Sequence, residues 1–207
     1  MTTLAIDTST AGGSVAVLLD GQLIVHESFL ADRGHSSALF KVLDHVCSSR
    51  PRLDQLVIGL GPGSYAGIRI AIAAGLGLQL GSRAKLVGIP SVAALPTNVS
   101  HYLAIGDARR ETFYFTRIAE GICVEGPLLM RESELAERLA APAAPPCFTS
   151  TPLPAFPAAE VRLPSAEILA RLAAAGRGIV ARDDLEPIYL REAHITQPRS
   201  KSAKTSE

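Results

Sequence analysis

Short apolar runs recur along the first half of the chain, each ended by a polar or glycine-bearing break. Leu4-Ala5-Ile6 runs into Asp7-Thr8-Ser9-Thr10, the stretch from Ser14 to Leu19 resumes, and Asp20-Gly21 separates it from Gln22-Leu23-Ile24-Val25. Asp-Gly between two β-rich runs marks a tight hairpin, so the chain is expected to open with three antiparallel strands. The polar stretch 32–38 closes the third. A helix is expected from Ser36, with Leu39, Phe40, Val42, Leu43 and Val46 forming an apolar stripe broad enough to pack on two sides. A strand at 55–60 then meets the turn Gly61-Pro62-Gly63-Ser64, a small-residue helix follows, and a short strand is expected at 85–89.

The small-residue helix organises this half. Gly67, Ala71 and Gly75 recur every four residues, as do Ala73, Gly77 and Gly81, which leaves two neighbouring ridges of nearly bare backbone. Each helical glycine costs about 1 kcal/mol relative to alanine, so packing must compensate. From Ile70 to Ser82 no side chain is charged, so the helix is expected to be covered, by its own fold or by a partner. The uncharged stretch is shorter than the ~20 residues that a bilayer requires, which excludes a membrane span.

The opening pattern then repeats. Leu103-Ala104-Ile105-Gly106-Asp107 echoes the first strand, the polar turn Ala108-Arg109-Arg110-Glu111 follows, and runs at 112–118 and 122–129 flank Glu120-Gly121. Spacing of about 100 residues points to an internal duplication. A helix near 132–140, the proline-dense segment 140–157 and a last helix near 165–175 make the second copy poorer. Three antiparallel strands, helix, strand, helix, strand is the order of the ribonuclease H-like α/β fold. The expected architecture is a duplicated fold with a mixed five-stranded sheet and helices in the first half (1–101), a reduced second half (102–196), and a disordered tail at 197–207.

Lysine plus arginine equals aspartate plus glutamate, 20 against 20, so no global basic field exists to hold nucleic acid unaided. Cys47, Cys123 and Cys147 form no CxxC pair, and the first residues, MTTLAIDTST, do not resemble a secretory signal; a cytoplasmic protein with reduced thiols is expected. Asp7 and Asp107 end the opening strands of the two halves, where paired carboxylates would hold a divalent ion or position water at a phosphate. Thr8 and Ser9 stand where a nucleotide site would need glycine. The turn at Gly61, Pro62, Gly63 and Ser64 lacks both the Walker and the dinucleotide spacing, and reads either as a tight turn or as an anion site at a helix start. No metal site is expected: HExxH is absent, and a histidine four positions after His35 would fall at Leu39. Asp107-Ala108-Arg109 reads as a turn with a local ion pair, although Arg109 and Arg110 are also placed to meet RNA.

Ile6-Asp7-Thr8-Ser9, the segment from Gly61 to Ile70 including Arg69, Asp107-Ala108-Arg109 and Pro187-Ile188-Tyr189-Leu190-Arg191 resemble, in this order, four landmarks of the TsaB (YeaZ) family. This chain has Tyr65-Ala66 where the family usually has Phe-Thr, and its Glu111 stands one position earlier than the family's glutamate. The resemblance implies an actin-like, Hsp70-like duplicated fold. It also implies a non-catalytic scaffold or activator, without cofactor, in the synthesis of threonylcarbamoyladenosine at position 37 of tRNAs reading ANN codons. The implied partners are the catalytic paralogue TsaD, the ATPase TsaE docking on the pair, tRNA only within the complex, and a second copy when the chain is alone. The implied docking residues are Ser36, Leu39, Phe40 and Leu43 on the first helix and Gly67, Ile68, Ala71, Ala74, Gly75 and Leu78 on the second. The competing class is an enzyme, either a residual nucleotide-binding ATPase or a metal-dependent glycoprotease-like hydrolase.

Overall fold

The computed structural model describes residues 1–30, 35–48, 52–181 and 185–191; the polar stretch 32–34, Pro51 and the tail at 197–207 lie outside them. Strands β1 (Thr2–Asp7), β2 (Gly12–Leu19) and β3 (Gln22–Leu30) form the expected meander. Asp20 and Gly21 both take positive φ, 50° and 80°, the conformation a two-residue hairpin demands. Helix α1 (His35–Cys47), strand β4 (Gln55–Gly59), helix α2 (Tyr65–Ser82) and strand β5 (Lys85–Ile89) follow, with β4 parallel to both β1 and β5.

The second half repeats the meander with β6 (His101–Asp107), β7 (Thr112–Ala119) and β8 (Ile122–Arg131), and Glu120-Gly121 again supplies positive φ at the hairpin. After helix α3 (Glu132–Leu139) the proline-dense segment contributes only β9 (Cys147–Thr149) and β10 (Glu160–Val161), and then come α4 (Ala166–Ala174) and β11 (Ile179–Val180). The first sheet has the order β11-β5-β4-β1-β2-β3 and the second β10-β9-β6-β7-β8. Five strands of the first sheet, β1 to β5, match the ribonuclease H-like expectation. The sixth is an addition to it. β11 comes from the far end of the chain, and its two residues pair antiparallel with β5 through Gly88 and Val87.

Strand periodicity decides the layers. Leu4 and Ile6 of β1 face α1 and α2, among Leu39, Leu43, Ile68 and Ile72, whereas Ala5 faces α4. The duplicated strand keeps the same parity: Leu103 and Ile105 meet Leu135 of α3 with Phe156, and Ala104 looks toward α4. Helix α4 therefore lies between the two sheets, its Ala166, Leu169, Ala170 and Ala173 sharing one core with Val57 and Val87 of the first and Tyr102, Tyr114 and Phe148 of the second. Fully burying each large aliphatic side chain contributes about 1.5–3 kcal/mol. No helix among the described residues is long and apolar enough to cross a membrane.

Candidate functional site

The turn that ends β4 is pressed directly onto the turn that ends β1. A Cβ on Gly63 would sit 2.0 Å from the Ser9 carbonyl oxygen, and one on Gly59 would sit 1.9 Å from Asp7 Oδ2. Hydrogen bonds close the contact: the Ser64 N–H donates to Ser9 O at 2.6 Å, Thr8 Oγ1 donates to Gly67 O at 2.7 Å, and the Gly61 N–H donates to Ser91 Oγ at 2.9 Å. Ser64 caps α2 by accepting from the Gly67 N–H at 3.2 Å. Three amides of the turn and helix start, those of Gly61, Ser64 and Gly67, are used within the chain. Asp7, Thr8, Ser9, Gly61, Pro62, Gly63 and Ser64 thus lie together at a packed junction.

Asp7 is 1% exposed at the bottom of this junction. Its Oδ1 accepts from the Ser9 N–H at 2.9 Å and the Ser9 hydroxyl at 2.7 Å. Oδ2 accepts no well-aligned hydrogen bond. Burial pushes the carboxyl above its ordinary range, and hydrogen bonding from Ser91 and Ser9 offsets part of that cost.

Between the halves lies a cleft of about 650 Å³, walled by Ser9, Thr10 and Pro62 on one side and Asp107, Tyr114 and Thr149 on the other. Asp107 reaches it; Asp7 does not. The two carboxylates that together could have held a cation therefore do not share the cleft, and no group of metal-ligating side chains is found among the described residues. Asp107 forms the local ion pair expected of its turn, accepting from the Arg109 N–H at 2.7 Å and facing its Nη1 at 3.4 Å. Arg109, Arg110 and Glu111 all take left-handed backbone, φ 65°, 54° and 59°. The turn is held from far along the chain, since Arg191 Nη2 donates to Thr112 Oγ1 at 2.6 Å and to Arg109 O at 3.5 Å.

Residues 185–191 form a strap across the cleft. Leu185 enters the first-half core, the Ile188 N–H donates to Leu60 O at 2.9 Å, and Tyr189 packs on Tyr65 with ring centroids 5.5 Å apart. Arg69 lies over the same Tyr65 ring at 5.2 Å and donates to its hydroxyl. The Pro187–Arg191 landmark is visible in the sequence, but its role as a strap is not, because the partners of Arg191 are more than 75 residues away.

The helix faces require a correction. Gly67, Ile68, Ala71, Ala74 and Gly75 are buried within the chain, as are Leu39 and Leu43 of α1, so none of the seven is available to a partner. A Cβ on Gly75 would meet Ile58 at 2.7 Å, which shows that the bare ridge serves close approach to β4. Only Ser36 and Phe40 of the expected set are exposed, with Leu78 half-buried. The outward ridge is the other one, Arg69-Ala73-Gly77-Gly81, where a Cβ on Gly77 or Gly81 would meet nothing within 4 Å. Leu80 beside it is 87% exposed, and Phe40 on α1 is 54% exposed.

A family model described as TsaD, tRNA N6-adenosine threonylcarbamoyltransferase, matches residues 29–124. The Escherichia coli tRNA threonylcarbamoyladenosine biosynthesis protein TsaB is 28% identical, covering 92% of this chain and 95% of that protein. An uncharacterized protein of Mycobacterium bovis is 31% identical, covering 92% of each. The crystal structure of a Pseudomonas aeruginosa protein with similarity to peptidase YEAZ superposes with a TM-score of 0.72 at 27% identity, covering 92% of this chain and 99% of that one. The chain belongs to the TsaB (YeaZ) family. The TsaD match spans β3 to β8 and so takes in strands of both meanders of the duplicated TsaB fold. Leu39, which stands where a second histidine would be needed, is fully buried in the core of this TsaB-family chain.

Proposed function

We propose that this TsaB-family chain takes part in tRNA threonylcarbamoyladenosine synthesis as a non-catalytic subunit, docking a TsaD-type transferase on the outward face of α1 and α2. The observation that carries this reading is the outward ridge of α2, small at Ala73, Gly77 and Gly81 and flanked by the exposed Leu80 and Phe40. A bare ridge lets a second helix approach closely, and large exposed apolar side chains beside it favour being covered. A TsaE-type ATPase then docks on the pair, tRNA is met within the assembly, and a second copy covers the face when the transferase is absent. The sealed junction over Asp7 supports a subunit that leaves the chemistry to its partner.

The test is co-purification with the transferase. Gly77→Leu fills the ridge at a position where an added Cβ meets nothing within 4 Å, so it is expected to abolish the complex while the melting temperature of the free subunit stays at or above wild type. Retained co-purification would count against this face. The enzyme alternative has the cleft in its favour, since its volume suits a nucleotide. Calorimetric titration of the free subunit with ATP and magnesium is expected to show no binding.

A further inference from the structure

We propose that the arginine and tyrosine side chains along the mouth of the cleft, Arg69, Tyr65, Tyr189, Arg191, Arg109 and Arg110, form an RNA-binding strip, an assignment that rests on the proposed place of this chain in tRNA modification. Its guanidinium groups take backbone phosphates, and its tyrosine pair takes an unstacked base.

The strip is continuous. Arg69 lies over Tyr65 at 5.2 Å, Tyr65 packs on Tyr189 at 5.5 Å, and two residues on Arg191 reaches Thr112 and Arg109. Arg110 follows directly in the same left-handed turn. All six residues are exposed, and the two tyrosines are each 50% exposed although large aromatic residues are usually covered. The chain as a whole is electroneutral, 20 basic against 20 acidic residues, and the strip gathers four arginines, with Asp107, Glu111 and Glu132 beside three of them. Among the described residues only Asp107 pairs with any of them, on Arg109. Arg69, Arg110 and Arg191 make no ion pair there.

Chemistry favours RNA over a protein partner. Tyrosine and arginine also dominate protein hot spots, but those sit among apolar contacts that exclude water. This strip borders a cleft of mixed lining, in which the hydroxyls of Ser9, Ser64 and Thr151 stand beside Pro62 and Leu190. Aromatic rings interleaved with guanidinium groups are the platform on which single-stranded or loop RNA stacks and is neutralised. Three successive left-handed residues are costly for side chains other than glycine, and strain of this kind gathers at functional sites. Here it projects Arg109 and Arg110 outward while Arg191 holds the turn.

The test uses the subunit assembled with its transferase, and an unmodified tRNA transcript as probe, titrated over a range of salt. Arg110→Gln is expected to weaken binding about 3- to 10-fold and to make the slope of log K against log salt shallower by about 0.7–0.9, the signature of one lost phosphate contact. Tyr189→Leu is expected to weaken it about 5- to 100-fold with the slope unchanged, and Tyr189→Phe to restore it. Co-purification with the transferase stays at wild-type level in all three. Unchanged affinity and slope in an intact complex overturn the RNA assignment and leave the docking proposal standing. Loss of the complex in Arg110→Gln or Tyr189→Phe also overturns it, by making the strip a protein interface. Failure of the wild-type chain to bind the transferase removes the docking proposal first and this one with it.

Discussion

Two aspartates close the same strand in the two copies of one fold, and they have opposite surroundings. Asp7 ends β1 beneath the glycine turn, 1% exposed, with Gly59 against it and Gly63 against Ser9 two residues on. Asp107 ends β6 on an open cleft wall with its side chain 46% exposed, and among the described residues its charged partner is Arg109, two residues along. The difference lies in the elements that come after each meander. The first copy supplies β4, the glycine turn and α2 to cover its aspartate. The second has α3 and a proline-dense segment of short edge strands in that position. An acidic residue at a strand end is therefore a structural pin where the fold is complete and a surface group where it has been cut back.

The largest effect is expected from crowding the first site. Gly59→Ala drives a methyl group into Asp7 Oδ2 from a central strand that cannot shift, and a loss of about 3 kcal/mol or more is expected in thermal unfolding. Next is Asp7→Ala, which strands the Ser9 N–H and hydroxyl in a buried site and should cost about 2–3 kcal/mol. Asp7→Asn keeps the acceptor, and here pH discriminates. The folded-state pKa of Asp7 is raised above the ordinary 3.8, so the folded protein binds more protons than the unfolded chain between those two values. The stability of wild type relative to Asp7→Asn should accordingly fall as pH rises above about 3.8 and level off beyond the raised value. An unchanged difference across a pH series of melting temperatures would mean that the site is wet. The smallest effect belongs to the second copy. Asp107→Asn removes one exposed ion pair and should change stability by less than about 1 kcal/mol, fading in high salt. Equal losses at the two aspartates would break the comparison.

Much of this architecture is readable in the residues. Asp20-Gly21 and Glu120-Gly121 mark both hairpins, and the repeated Leu-Ala-Ile of β1 and β6 reports the duplication down to which side chain faces which layer. The orientation of α2 is hidden for a physical reason. The helix is apolar nearly all round and carries small residues on two ridges, so no polar stripe separates inside from outside. One clue is present: Arg69, the only charged residue between Tyr65 and Ser82, lies on the Ala73-Gly77-Gly81 ridge and marks it as the solvent side. The pairing of β11 with β5 and the grip of Arg191 on Thr112 join positions too far apart for any local pattern to announce.

Helix α4 has a consequence for how the molecule comes apart. It belongs by sequence to the second copy, yet its apolar face is shared by both sheets, and the chain then returns to finish the first sheet with β11. A cut near residue 101 would leave each fragment with an open wound of hydrophobic surface, so neither copy should be obtainable as a folded piece. Calorimetry should record a single endotherm. A protein that reads as two repeats is, in energetic terms, indivisible.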